Sequence, residues 1–284
     1  MFCQTIYRVL SWSITKLNPL KHPIFIIFCI LYLLNSSGVY GQKFSLGIKA
    51  GPSVSWSGFG DKELKSNFKS LPKIGYSVGG LIIFPLKKKY SFLSEFGYTQ
   101  KGRRLEFGSG SSENNATYHF IDLSMALRKS FHLPISKDLP TNWSFNIGPN
   151  IEYWLNGKGR IISNIAPGED LKYEVVFNEP KDANYYKNYL NDVNRWLFGL
   201  DIGIGADAPL RNKQRIYTEF RFTTGQTFIG KKTGTSDLNV LGFEDTLQTN
   251  FKTFTILVSY TFDFDKKLSK MGRSTKDKAI KRKK

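Results

Sequence analysis

Eight charged residues stand at alternate positions of otherwise apolar segments. They are Lys49, Arg128 and Arg221 on the basic side and Glu95, Asp122, Glu152, Asp201 and Glu219 on the acidic side. Such a set could do acid–base chemistry, line an ion path, or fill a closed interior by mutual pairing. Charges taken out of water are tolerated when they pair with one another, and the mixture of signs favours pairing. Other residue types point away from catalysis. The chain has three histidines, His22, His119 and His132. On a strand, His119 and the next serine, Ser124, would point to opposite faces, so they make no nucleophile–base pair. No His/Asp/Glu group has metal-ligand spacing. Gly108–Ser112 (G-S-G-S-S) is followed by no helical pattern with Lys-Ser/Thr, so it is a loop tip and not a phosphate cradle. The expectation is a protein that is not an enzyme, with no catalytic, metal or cofactor-binding residue.

Strands must carry these charges. From Phe251 to Phe264, Phe254, Ile256, Val258, Tyr260, Phe262 and Phe264 share one face, while Thr253, Thr255, Ser259, Thr261 and Asp263 share the other. Period-2 alternation and turn residues predict eight strands, near 43–54, 73–85, 90–103, 117–130, 142–155, 195–208, 214–226 and 250–264. In the sixth, Trp196, Phe198, Leu200, Ile202 and Ile204 oppose Gly199, Asp201, Gly203 and Gly205. The second and third are less regular, because Leu81, Ile83 and Leu93 fall on the polar side.

Connections alternate between short (85–89, 131–141, 209–213) and long (55–72, 104–116, 156–194, 227–249). Short turns at one end and long loops at the other mark a membrane barrel. The predicted fold is all-β: an eight-stranded antiparallel up-and-down transmembrane β-barrel. Its interior is just wide enough to be filled by side chains, and the eight charges would be that filling. Trp143, Tyr153, Trp154, Trp196, Tyr98 and Tyr260 are read as interfacial girdles.

Residues 24–34 form an apolar core preceded by Lys16, Lys21 and His22 and followed by Val39-Tyr40-Gly41, which predicts a signal peptide over 1–41. The core is too short for a spanning helix. The barrel is placed at 42–264, and 265–284 is expected to be a basic, disordered periplasmic tail. The formal charge of +18 owes much to that tail, which carries ten Lys and Arg against Asp265 and Asp277. A secreted barrel would not meet nucleic acid, so no such partner is expected. Both cysteines, Cys3 and Cys29, lie in the leader, leaving the mature chain no thiol.

Three stretches carry a likeness. They are Gly47-Ile-Lys-Ala-Gly51, Glu95-Phe-Gly-Tyr-Thr-Gln-Lys-Gly102, and Tyr118 to Arg128 (Y-H-F-I-D-L-S-M-A-L-R). Their order and spacing over 43–264 resemble the Bacteroidota outer-membrane β-barrel family that includes the PorT proteins. Asp122 stands where that family's fourth strand usually has Glu, and Ser124 where it has Pro. The resemblance implies a cell outer-membrane location and an eight-stranded barrel. It carries over no catalytic residue. Some members of the family are components of the type IX protein secretion system.

The long connection 156–194 is the remaining candidate site. Residues 181–196 could form a short helix placing Tyr185, Tyr186 and Tyr189 near one side as a partner surface. The expected partners are outer-membrane lipid, the barrel-assembly machinery during insertion, and protein secretion components. The expected role is structural or interactive at the cell envelope. Two rivals are a lipid-modifying barrel enzyme and a soluble calycin-like barrel with its apolar face inward.

Overall fold

A computed structural model describes residues 43–60, 62–86, 89–108, 110, 112–132, 142–163, 170–175, 177, 188–190, 193–210, 213–231, 238–240, 243–245 and 248–265. The leader, the tail, Tyr185 and Tyr186 lie outside the described residues.

The elements in chain order are β1 (Lys43–Phe59), α1 (Lys62–Asn67), β2 (Phe68–Leu71), β3 (Lys73–Pro85), β4 (Tyr90–Phe107), β5 (Ser112–His132), β6 (Asn142–Ser163), β7 (Leu171–Val175), β8 (Asn188–Leu190), β9 (Trp196–Pro209), β10 (Gln214–Gly225), β11 (Leu238–Val240), β12 (Phe243–Asp245) and β13 (Thr249–Asp265). Eight of them close a ring of antiparallel neighbours. The ring runs β1, β3, β4, β5, β6, β9, β10 and β13, and returns from β13 to β1 through pairs such as Leu46↔Phe262 and Val54↔Phe254. Closure removes the unpaired edges that would otherwise face lipid. These are the eight strands that alternation predicts.

The faces sort as the alternation requires. Ile48, Ile74 and Phe96 point outward and are 70%, 76% and 61% exposed, whereas Lys49, Glu95, Asp201 and Glu219 are buried. An apolar side chain so exposed would be unfavourable in water, and it is at home in hydrocarbon. The inverted arrangement of a calycin-like barrel is therefore not what the chain forms.

At the long-loop end the wall rises further than alternation suggests. β4 and β5 continue as one hairpin through 104–116, turning at Gly108 (φ +43°) and Gly110 (φ +81°). Those positive φ values suit glycine. β2 adds to β4, β7 adds to β6, and β8 pairs parallel to β7. Asn188–Leu190 is thus a strand and not part of a helix, because its backbone pairs with β7 at Tyr173–Val175. The side chain of Tyr189, like Tyr185 and Tyr186, lies outside what the structure describes.

The candidate site: a filled barrel interior

The interior has three storeys, set by which inward positions each strand offers. In the middle, Glu95 on β4 accepts from Lys49 Nζ at 2.6 Å and from Arg221 Nη1 and Nη2 at 2.5 and 2.8 Å. Arg221 Nε also donates to Glu219 at 2.8 Å, and its Nη1 lies 3.6 Å from Asp201. Asp201 accepts from Ser124 at 2.6 Å and from Thr223 at 2.7 Å. β1, β4, β5, β9 and β10 are tied together by side chains across the lumen as well as by their ladders. Fork-shaped guanidinium–carboxylate pairs give direction as well as energy.

Of the eight charges read from alternation, Lys49, Glu95, Asp201, Glu219 and Arg221 form this one cluster. The other three stand apart. Glu152 pairs with Lys101. Asp122 accepts from Thr99 at 2.8 Å, and Thr99 lies 3.0 Å from Ser77 Oγ. Arg128 stacks on Tyr217, with 4.0 Å from its guanidinium carbon to the ring centroid, and donates to Asn146 at 3.1 Å. Two further interior cations were not singled out in the sequence, Lys101 and Arg103. Both share the inward parity of Glu95 and Thr99 along β4, which was the available signal. Lys101 also sits over the rings of Phe120 and Phe251, at 4.7 and 4.6 Å. With them included, the buried charges among the described residues balance: Lys49, Lys101, Arg103, Arg128 and Arg221 against Glu95, Asp122, Glu152, Asp201 and Glu219.

Toward the long-loop end the filling becomes aromatic. Trp154, Tyr118, Phe120, Tyr173 and Phe251 pack with Leu105, Ile161 and Ile229. Tyr118 and Trp154 meet edge to face at 4.7 Å. Trp154 is therefore not a girdle residue. It shares the inward parity of Glu152 and is fully buried. Past it, an irregularity in register between His119 and Phe120 lets Gly157, Gly159 and Ile161 take the inward positions. By contrast Trp196, 57% exposed, lies outside against Tyr153 at 4.7 Å, and on the outer wall Tyr98 stacks on His119 and meets Tyr76 at a tilt. Those five side chains fit an interfacial belt. At the short-turn end Leu81, Leu93 and Ala126, with Ile83 against them, make a small apolar cluster. It accounts for the apolar residues that broke the alternation of β3 and β4.

The space left among the central charges is about 30 Å³, room for about one or two waters. His119 faces outward and bonds with the Tyr98 hydroxyl at 2.5 Å, while Ser124 faces inward onto Asp201. The two cannot act on one substrate. Among the described residues no group of three His, Cys, Asp or Glu could hold a metal.

Replacing Thr99 by valine nearly keeps the volume and removes the hydroxyl that donates to Asp122. Thr99→Val is expected to cost about 1–3 kcal/mol, the penalty for a buried acceptor left short of a partner, read as a shift in the urea midpoint of the refolded barrel. An unchanged midpoint would show that water already serves Asp122.

A closed ring of eight antiparallel strands, greasy outside and polar within, defines a membrane β-barrel. The sequence matches the family model described as "Outer membrane protein beta-barrel domain" over residues 36–227. The chain belongs to that family, and its place is the outer membrane. Similar solved structures include OprG from Pseudomonas aeruginosa (10% identity, TM-score 0.40, covering 79% of this chain and 96% of that one). Neisserial surface protein A is another (11%, 0.36, 77% and 97%), as is the outer membrane protease OmpT from Escherichia coli (10%, 0.31, 79% and 97%). No curated protein matches the chain in sequence.

Proposed function

We propose that the protein is a non-enzymatic outer-membrane barrel with a structural or interaction role at the cell envelope. In this reading the long-loop end faces outward and both termini lie in the periplasm. The observation that carries it is the filled interior. Charges bonded across the lumen and an aromatic plug above them occupy the interior, and among the described residues His119 and Ser124 stand on opposite faces of the wall. The outer wall and the loop end, where β2, β7 and β8 extend the surface, are the faces open to envelope partners in this reading.

A second reading, a PorT-like component of type IX secretion, is favoured by Glu95-Phe-Gly-Tyr-Thr-Gln-Lys-Gly102. Glu95 and Lys101 of that stretch both anchor interior ion pairs. Co-purification of secretion components with the tagged barrel supports this reading, and their absence from cross-linked complexes counts against it.

Two measurements test the main reading. Bromine on lipid acyl chains quenches tryptophan at contact, so a variant retaining only Trp196 is expected to be quenched. One retaining only Trp154 is expected to be spared. The reverse pattern would turn the barrel inside out. For orientation, the predicted mature chain has no cysteine. Lys65→Cys should react with an impermeant maleimide on intact cells, and Leu210→Cys should react only after the outer membrane is opened. Labelling of Leu210→Cys on intact cells would invert the assignment.

A further inference from the structure

At the short-turn end the lumen widens into a cavity of about 330 Å³. Arg128 enters it from β5 and is buried, with 6% of its surface exposed. Its ring contact with Tyr217 and its bond to Asn146 occupy one side of the guanidinium. Its Nη2 is buried without a hydrogen-bond partner, and no carboxylate among the described residues forms an ion pair with it. The two carboxylates that line the cavity, Asp207 and Asp263, are held by Arg215: Nη2 is 2.9 Å from Asp263 and Nη1 is 3.5 Å from Asp207. Arg215 thus takes up both acids of the cavity wall, and neither of them pairs with Arg128. The hydroxyls of Ser91, directly across the ladder from Arg128, and of Ser130, at the next inward position of β5, line the same space.

A buried guanidinium lacking a carboxylate is costly. A guanidinium edge flanked by hydroxyls is the donor set that recognises a planar carboxylate or a phosphoryl group. The volume lies in the range of small-molecule sites. We propose that this cavity binds a small oxyanion group through Arg128, either the carboxylate of a peptide end or free phosphate. Only the source of the ligand, the periplasm, rests on the orientation proposed above. The binding itself is a property of the purified barrel.

The test is a calorimetric titration of the barrel in non-ionic detergent, with inorganic phosphate in one arm and N-acetylglycine in the other. Saturable one-site binding of either probe is expected, and the probe that binds names the source. Arg128→Gln should weaken it about tenfold or more, by removing a charge-assisted bond. Should that variant refold poorly by heat-modifiable mobility, Ser130→Asp supplies a carboxylate beside the guanidinium and should abolish binding with Arg128 in place. Lys65→Ala, at the opposite end, should leave binding unchanged. No saturable heat with either probe overturns the proposal, as does equal affinity in Arg128→Gln or Ser130→Asp. A barrel found inverted in cells would overturn the orientation and leave this titration as it stands.

Discussion

Glu95→Ala is expected to destabilise the barrel by about 3–5 kcal/mol, the scale on which one partner of a buried ion pair is removed. Glu95 accepts three short bonds, one from Lys49 and two from Arg221. Arg221 would keep Glu219 and Asp201. Lys49, 2% exposed, has no other carboxylate bonded to it among the described residues. The loss should therefore come mainly from the stranded ammonium. That assignment has its own check. In the double variant Lys49→Met with Glu95→Ala, part of the stability should return, because the coupling between neighbours in one network is not additive. Urea unfolding of the barrel refolded into lipid vesicles measures both. A Glu95→Ala midpoint equal to the parent's would mean that water fills the lumen and solvates these charges. The filled interior on which the functional proposal rests would then fall with it.

Much of this was legible because a barrel strand has a strict period of two. Once Glu95 is inward, Thr99, Lys101 and Arg103 must be inward as well. Lys101 and Arg103 are harder to read from β4 alone, because Leu93 on the same face breaks its alternation. The structure explains Leu93 by the apolar cluster it makes with Leu81 and Ala126, a contact between three strands that no single segment displays. Trp154 shows a second limit. Residue type says that a tryptophan suits an interface, and only parity with Glu152 says that this one faces in. The aromatic plug was hidden for the same reason, since Tyr118 and Phe120 precede Asp122 on its own face. The rise of the wall above the membrane band was hidden by composition. Residues 104–116 are polar on the outside in a way that reads as loop, yet they pair rung by rung from Arg104↔Asn115 to Phe107↔Ser112.

Gly51→Val is expected to prevent closure altogether, and the reason is local to the seam between the first and last strands. A Cβ added at Gly51 would lie 1.7 Å from the carbonyl oxygen of Ile256 and 3.0 Å from the Cα of Leu257. Those are backbone atoms, which no rotamer change can move aside. Pro52 follows and has no N–H to give. The β1–β13 ladder accordingly skips from Ala50↔Val258 to Ser53↔Thr255, and the strands press together where rungs are missing. The pattern repeats across the barrel. Gly148 precedes Pro149, its Cβ would meet the Met125 oxygen at 1.9 Å, and the β5–β6 ladder skips from Ser124↔Asn150 to Leu127↔Ile147. Glycine within a strand marks such close approaches of backbone. Overpacking a core commonly costs about 1–3 kcal/mol, and a clash with the closing strand's own main chain should exceed that. In refolding followed by heat-modifiable mobility, Gly51→Val should give little or no compact species. Gly80→Ala is the matched control, because a Cβ there meets nothing nearer than the Gly47 oxygen at 3.7 Å, and it should refold like the parent. If Gly51→Val refolded as well as Gly80→Ala, the seam would have to close in a different register. The inward set of β1, from Lys49 to Ser57, would then no longer be the one that meets Glu95.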